Sequence, residues 1–92
     1  MCFQGAGVER PRILIAEDEP ELRTVLQMQL SLAGYDVLEA GDGLEAIEIA
    51  EDKQPDVILL DVMMPIIDGF DTARIIRSQS KHASRPIIFM SS

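Results

Sequence analysis

The sequence predicts an α/β protein, in which a parallel sheet is covered by helices on both faces. Short, mostly apolar runs occur at residues 12–16, 57–60 and 86–90. Strands that are apolar on both faces are typical of a covered parallel sheet. Segments with apolar residues at three- and four-residue spacing lie between these runs, as expected of amphipathic helices. Strands that alternate with helices require right-handed crossovers, and these in turn require parallel strands.

Length and composition restrict the function classes. The 92 residues fit one domain, and the 47% hydrophobic content matches a globular core. A net charge of -8 argues against nucleic-acid binding and against electrostatic binding to an anionic membrane. Cys2 is the single cysteine, which excludes an intramolecular disulfide. No apolar run has transmembrane length and no signal segment is recognisable, so we expect a cytoplasmic protein.

The first half of the chain contains two strand–helix units. Residues 1–11 have no periodic pattern and are expected to form a flexible leader before a domain at 12–92. The first strand, 12–16, stops at an acidic run. Pro20 suits the first turn of a helix, and Gly34 supplies its C-terminal stop. A short strand at 36–40 follows.

The second half of the chain repeats this alternation. Asp42 and Asp68 each precede a glycine at a predicted helix start, so both are expected to be caps or turn residues. The first of these helices ends before Gln54-Pro55, and the second runs to about Ser80. The order is therefore β-α-β-α-β-α-β. Its last two strands are 57–60, followed by Asp61, and 86–90, followed by Ser91 and Ser92.

The residues that follow the strands carry the functional signal. In an open parallel sheet, ligands bind at the carboxyl ends of the strands, where the strand order reverses. Glu17 and Asp18, then Asp61, then Ser91 follow three of the predicted strands. Clustered carboxylates suit Mg²⁺ or Mn²⁺, and Asp61 could itself accept a phosphoryl group. The alternative is structural, since acids after a strand also favour the positive end of the next helix.

Two blocks of the sequence resemble the receiver domain of bacterial two-component response regulators. They are Ile13-Leu14-Ile15-Ala16-Glu17-Asp18-Glu19 and Val57-Ile58-Leu59-Leu60-Asp61-Val62-Met63-Met64-Pro65-Ile66-Ile67-Asp68-Gly69. The segment 86–92 is similar to the fourth strand of that family and its switch hydroxyl. The resemblance covers nearly all of 12–92 and implies a CheY-like, flavodoxin-like doubly wound parallel sheet.

The resemblance also implies a role for each matching residue. Asp61 would accept a phosphoryl group from a sensor histidine kinase or a histidine phosphotransfer protein. Asp18 and Asp61 would ligate Mg²⁺ with the backbone carbonyl of Met63, and Glu17 would act through water. Ser91 would be the switch residue. The loop and turn residues would be Pro65 and Gly69, with Gly69 allowing a tight turn.

The resemblance stops at the fourth strand. The family continues with a helix, a fifth strand that ends in a lysine, and a last helix, and none of these can be fitted here. Lys53 and Lys81 fall in or after helices and are not assigned to the missing lysine. The strand 87–90 would then be an uncovered edge, which is a template for pairing with another chain. We therefore expect a truncated or incompletely covered receiver that can self-associate or swap elements there; the alternative is that the missing residues follow this segment in the protein.

Three functions agree with these residues. The first is a phospho-accepting receiver that is not a turnover enzyme. The second is an enzyme with an aspartyl-phosphate intermediate, which would want an acid where Met63 stands. The third is a pseudo-receiver or fragment that binds proteins without phosphorylation.

Overall fold

Four strands alternate with three helices in the computed structural model, which describes residues 10–79 and 85–91. The strands are β1 (Arg12–Ala16), β2 (Asp36–Ala40), β3 (Val57–Asp61) and β4 (Ile87–Met90). The helices are α1 (Pro20–Leu32), α2 (Gly43–Lys53) and α3 (Gly69–Ser78). This is the predicted order. The predicted leader, apart from its last two residues, lies outside the described residues, as do Ser80, Lys81 and Ser92.

All four strands are parallel, and their order in the sheet is β2-β1-β3-β4. The chain moves from β1 to one side to form β2 and then crosses to the other side of β1 to form β3. The strand order therefore reverses between β1 and β3, and the carboxyl ends of these two strands flank the switch point. The doubly wound parallel sheet predicted from the sequence is confirmed.

One face of the sheet carries the main core. Leu14, Ile58 and Leu60 are fully buried there and pack with small and branched residues of α2 and α3. These helix residues are Ala46, Ala50, Ala73 and Ile76. The small alanines allow the helices to approach the strands closely. This packing fixes the position of β3 in the sheet. It thereby also fixes the position of Asp61, the last residue of that strand.

The opposite face is covered by α1, which packs on β1 and β2. Ile13 and Ile15 alternate with the core residues of β1 and are buried on this face. No residue of α1 is itself buried, and Val25, one of its apolar residues at three- and four-residue spacing, is 49% exposed. Among the described residues, the main contacts of α1 are with β1 and β2 and not with β3 and β4, in agreement with this exposure.

The helix ends follow the sequence signals. Asp42 and Asp68 are N-caps whose side chains accept hydrogen bonds at 2.8 Å from the N–H groups of Glu45 and Asp71. Pro20 begins α1. Gly34 has φ of 103°, the left-handed backbone that lets a glycine end a helix. Helix α3 ends at Ser78, slightly earlier than predicted, because Gln79 is already extended.

Candidate metal centre

Three acids converge at the carboxyl edge of the sheet. Glu17 and Asp18 directly follow β1, and Asp61 is the last residue of β3. One carboxylate oxygen of each lies within 4.8 Å of those of the other two. Glu17 is 2% exposed and Asp61 1% exposed, whereas Asp18 is open to solvent. The structure therefore brings together the three carboxylates that the sequence predicted to be neighbours.

Glu17 is held in surroundings that disfavour its charge. Its Oε2 accepts a hydrogen bond from the Glu19 N–H at 3.2 Å, while Oε1 is buried without a partner among the described residues. Burial is the main cause that raises the pKa of Glu17 to about 7, and a hydrogen bond and repulsion from Asp61 add to it. Near neutral pH, the Glu17 carboxyl is therefore protonated in some molecules and negatively charged in the others.

The position of Glu17 is set by its backbone. Its N–H donates to the Ala40 carbonyl at 3.1 Å, which continues the β1–β2 ladder by one residue. Its own carbonyl accepts a hydrogen bond at 2.7 Å from the guanidinium of Arg23, on the first turns of α1. The sequence analysis missed Arg23. The available signal was a cation six residues after Glu17, at a position that the first turns of a helix bring back toward the end of the strand.

Asp61 is fixed by the segment that follows it. Its Oδ1 accepts a hydrogen bond from the Met63 N–H at 3.1 Å. Gly69, at the start of α3, lies directly against this segment: its N–H donates to the Val62 carbonyl at 2.9 Å. A Cβ on Gly69 would overlap the Asp61 carbonyl oxygen and would lie 2.9 Å from the Val62 Cα. Glycine is therefore required here by close packing.

That Gly69 allows a tight turn remains a prediction, and Gly69 does not itself have a positive φ. The left-handed residue of the loop is Ile66, with φ of 73°. The Ile67 N–H donates to the Pro65 carbonyl at 2.8 Å, which closes a three-residue γ-turn centred on Ile66. Pro65 is exposed, as are Met63 and Ile66, which are 73% and 80% exposed. The loop after Asp61 thus presents apolar side chains to solvent.

Ser91 lies at the same edge of the sheet, directly after β4. Met90 is paired with Asp61 in the β3–β4 ladder, and its carbonyl accepts a hydrogen bond from the Val62 N–H at 3.0 Å. Ser91 is exposed. The strand ends that carry Asp61 and Ser91 are therefore neighbours.

The donor set fits a divalent cation. Carboxylate oxygens are the ligands that Mg²⁺ and Mn²⁺ prefer, and one acid open to solvent leaves room for bound water. The unpartnered buried Oε1 of Glu17 is what such a site would use, since a cation or its water would satisfy that oxygen. A cation would also relieve the repulsion among the three carboxylates.

Comparison with known proteins identifies the architecture. The family model for the response regulator receiver domain matches residues 13–92. The alkaline phosphatase synthesis transcriptional regulatory protein PhoP of Bacillus subtilis is 46% identical over 68 residues, 74% of this chain and 28% of the regulator. The DNA-binding dual master transcriptional regulator RpaA of Synechocystis is 39% identical over 80 residues, 87% of this chain and 33% of RpaA. The chain spans about a third of the length of these curated relatives.

Solved structures agree with the sequence comparison. The chemotaxis response regulator CheY4 of Vibrio cholerae superposes with a TM-score of 0.86 at 34% identity, over 88% of this chain and 68% of CheY4. The receiver domain of the sensor histidine kinase PA1611 of Pseudomonas aeruginosa superposes with a TM-score of 0.84 at 37% identity, over 88% of this chain and 66% of that one. The PA1611 receiver holds a magnesium ion in its active site cleft.

In the part of the chain that the structure describes, no helix combines the length and the apolar character that crossing a bilayer requires.

Proposed function

The chain belongs to the response regulator receiver domain family, and from that premise we propose that Asp61 accepts the phosphoryl group with Mg²⁺ bound beside it. Members of this family are signalling domains with a phospho-accepting function. The observation that supports the choice of residue is the convergence of three carboxylates within 4.8 Å at the switch point of the sheet. Of these three, Asp61 is the one that ends a strand and is fixed by the following loop.

The three acids have two different roles in the proposal. Asp18 and Asp61 ligate the ion directly, together with the backbone carbonyl of Met63. Glu17 acts through bound water, in agreement with its buried and unpartnered Oε1. The bound ion supplies positive charge that offsets the negative charge on the transferring group. Mn²⁺ has the same ligand preferences and is expected to substitute.

The transfer itself requires little from the protein beyond positioning. A carboxylate oxygen of Asp61 attacks the phosphorus of a phosphohistidine. The new P–O bond forms as the P–N bond breaks, and the bond's electron pair leaves with the imidazole nitrogen, which is then protonated. The Met63 N–H, at 3.1 Å from Oδ1, holds the carboxylate in one orientation. Ser91, at the end of the neighbouring strand, is proposed to hydrogen-bond to the new phosphoryl group and so signal its presence.

The proposed partner is a sensor histidine kinase or a histidine phosphotransfer protein. Receiver domains work with such kinases, and the relatives include the sensor protein EvgS of Escherichia coli, which is 44% identical over 79 residues. We propose that the chain is an acceptor that is phosphorylated once rather than a turnover enzyme, and that it acts in the cytoplasm. The charge of -8 supports the absence of direct nucleic-acid binding by this segment.

The test is phosphorylation by a small donor. With acetyl phosphate and Mg²⁺, intact-mass spectrometry should show one added phosphoryl group, and Asp61→Asn should abolish it. Asp68→Asn is the matched control, because Asp68 caps α3 rather than joining the three acids, and it should still be labelled. Labelling that persists in Asp61→Asn would overturn the assignment of Asp61.

A phosphorylation-independent binding module is the second candidate, and one observation favours it. Lys53 lies at the end of α2. Together with Arg12 it lines a cavity at the amino ends of the strands, opposite the three acids. It therefore supplies no charge to the three acids, and donors of positive charge matter greatly to phosphoryl transfer. No labelling of the wild-type chain by acetyl phosphate, with Mg²⁺ binding retained, would favour this candidate.

We also propose that β4 mediates self-association. It is an edge strand of the described sheet, and its Ile88 and Phe89 are 51% and 42% exposed on opposite faces. A second copy could pair with its free backbone groups and cover both side chains. Sedimentation velocity should show a concentration-dependent dimer that Ile88→Lys abolishes and that Leu44→Lys, at an equally exposed position on α2, retains. A wild-type monomer at high concentration would refute this proposal.

A further inference from the structure

Arg23 connects the acidic edge to the rest of the sheet. Its guanidinium NH1 donates to the Glu17 carbonyl at 2.7 Å, and its Nε lies 3.6 Å from Oε1 of Glu39 on β2. The same group passes over Gly41, where a Cβ would stand 3.4 Å from NH1. The side chain is 23% exposed, so these contacts are partly shielded from solvent.

We propose that Arg23 is a positioning residue for the divalent-cation site, joining the end of β1 to the end of β2 and so fixing where the Glu17 and Asp18 carboxylates lie. This inference rests on the proposed function, because it assumes that the three acids bind a cation. Arg23 makes its contact with the backbone of Glu17 rather than with the carboxylates themselves.

The junction between β1 and α1 needs such support. The N-cap of α1 is Glu19, whose side chain makes no capping hydrogen bond. The one hydrogen bond that the Glu17 side chain accepts from the backbone of the junction, from the Glu19 N–H, is rather long at 3.2 Å. The junction carries Glu17 and Asp18, and repulsion between these acids and Asp61 acts on it. The short Arg23 bond to the Glu17 carbonyl opposes this repulsion and holds the segment in place.

The charge of Arg23 and its positioning act in opposite directions on cation binding. A positive charge close to the acids repels a second cation, so electrostatics alone predicts that removing the charge strengthens Mg²⁺ binding. Positioning predicts weaker binding, because the carboxylates would lose their arrangement. Loss of an outer partner that orients metal ligands typically lowers metal affinity by roughly 10-fold to 100-fold. The sign of the change therefore separates the two effects.

The experiment measures the Mg²⁺ dissociation constant of the chain by calorimetric titration, with Mn²⁺ binding by electron paramagnetic resonance as a second readout. Arg23→Gln is expected to weaken binding about 10-fold, by analogy with other residues that orient metal ligands. Arg23→Lys keeps the charge but loses the planar fork, and it should also weaken binding. Arg74→Gln is the control: Arg74 is 77% exposed, pairs with Asp71 at 2.9 Å, and its loss should leave Mg²⁺ affinity unchanged.

Thermal unfolding of each variant, followed without metal, separates affinity from stability. A purely structural role would lower the melting temperature and leave the dissociation constant of the folded protein unchanged, and that result would overturn the inference. Unchanged or tighter Mg²⁺ binding in Arg23→Gln would overturn it as well. If Arg23→Gln does not fold, Arg23→Lys decides by the same criterion. A wild-type chain that binds no Mg²⁺ would instead refute the proposed function.

Discussion

At the scale of single residues, the Glu17 carboxyl lies in surroundings that disfavour its negative charge. Folding buries it next to Asp61, and the resulting desolvation raises its pKa from 4.5 to about 7. Between these two values the folded chain keeps a proton that the unfolded chain releases. The free energy of unfolding of the metal-free protein therefore decreases as the pH rises through this interval, by an amount on the order of 1–3 kcal/mol.

Glu17→Gln should remove this pH dependence. Since glutamine cannot ionise, the variant should be more stable than the wild type at pH values above the Glu17 pKa, and similar to it below pH 4.5. Urea unfolding in the presence of a chelator, repeated across this pH range, measures the difference. Glu48→Gln, at an exposed position on α2, is the control and should keep the wild-type slope. A Glu17→Gln variant that unfolds more easily than the wild type at high pH would contradict the account.

Gly69→Ala should destabilise the fold by about 1–3 kcal/mol, the usual range for overpacking a buried position. The added methyl group would overlap the Asp61 carbonyl oxygen, and both are backbone-anchored, so neither can rotate away. Gly41→Ala is the matched control, because a Cβ there would lie 3.4 Å from the Arg23 guanidinium, an ordinary contact distance, and would meet no backbone atom. Equal melting temperatures for the two variants would show that the close approach at Gly69 is unimportant.

The sequence predicted the polar residues of the site better than the residues that hold them. Glu17, Asp18 and Asp61 follow strands, and a parallel sheet brings such residues to one edge whatever the details of packing. The contact of Arg23 with the Glu17 carbonyl depends instead on how the first turns of α1 are placed against the end of β1. The packing of Gly69 depends on the path of the loop after Asp61, and neither path is encoded in residue spacing.

At the scale of secondary-structure elements, the loop between β3 and α3 stores backbone strain. Ile66 occupies the centre of a γ-turn with φ of 73°, which a branched side chain tolerates poorly. Its side chain is 80% exposed, so burial does little to offset the strain. The loop is thus shaped by the need to connect Asp61 to the closely packed start of α3.

Ile66→Gly should therefore stabilise the protein by about 1 kcal/mol, since glycine adopts a positive φ without steric cost. The loss of an exposed side chain contributes little. Chemical denaturation of the two proteins at one pH gives the comparison. Ile75→Gly, in the interior of α3, is the opposite case and should cost about 1 kcal/mol or more in helix propensity. A destabilised Ile66→Gly variant would show that the exposed side chain has a packing role.

Helix boundaries were well predicted because caps are local. The carboxylates of Asp42 and Asp68 reach N–H groups only three residues away, so the signal lies within one turn of sequence. The packed face of α1 was predicted less well: Val25 has the three- and four-residue spacing of a packed helix face, yet it is 49% exposed. Spacing shows which residues share a side of a helix, but the extent of their burial depends on neighbours distant in the chain.

At the scale of the whole molecule, charge is divided between the two edges of the sheet. The carboxyl edge carries the three acids, whereas four cations and two acids surround a cavity of ≈ 370 Å³ at the opposite edge. The cations are Arg10, Arg12, Lys53 and Arg85. This arrangement favours cation binding at the acidic edge, because these four positive side chains stand at the far end of the strands.

Addition of Mg²⁺ should stabilise the whole fold. Binding to the folded state alone raises the free energy of unfolding by about 2.7 kcal/mol when the free ion is at roughly 100 times its dissociation constant. Differential scanning calorimetry with and without Mg²⁺ should show this rise at neutral pH. Asp18→Asn should abolish the shift, while Asp36→Asn, an exposed acid at the start of β2, should keep it. An equal response from both variants would mean that the ion binds elsewhere.

The pairing of β1 with β3 has a kinetic consequence. These strands are hydrogen-bonded neighbours, yet the whole of α1, β2 and α2 lies between them in the chain. Their contact closes a long loop, and contacts of large sequence separation form slowly because chain entropy is lost before they are made. Glu17 and Asp61 belong to opposite ends of that loop. Affinity for an ion at this edge should therefore arise late in refolding, after the local helices are complete, so its time course would follow the non-local step of the reaction.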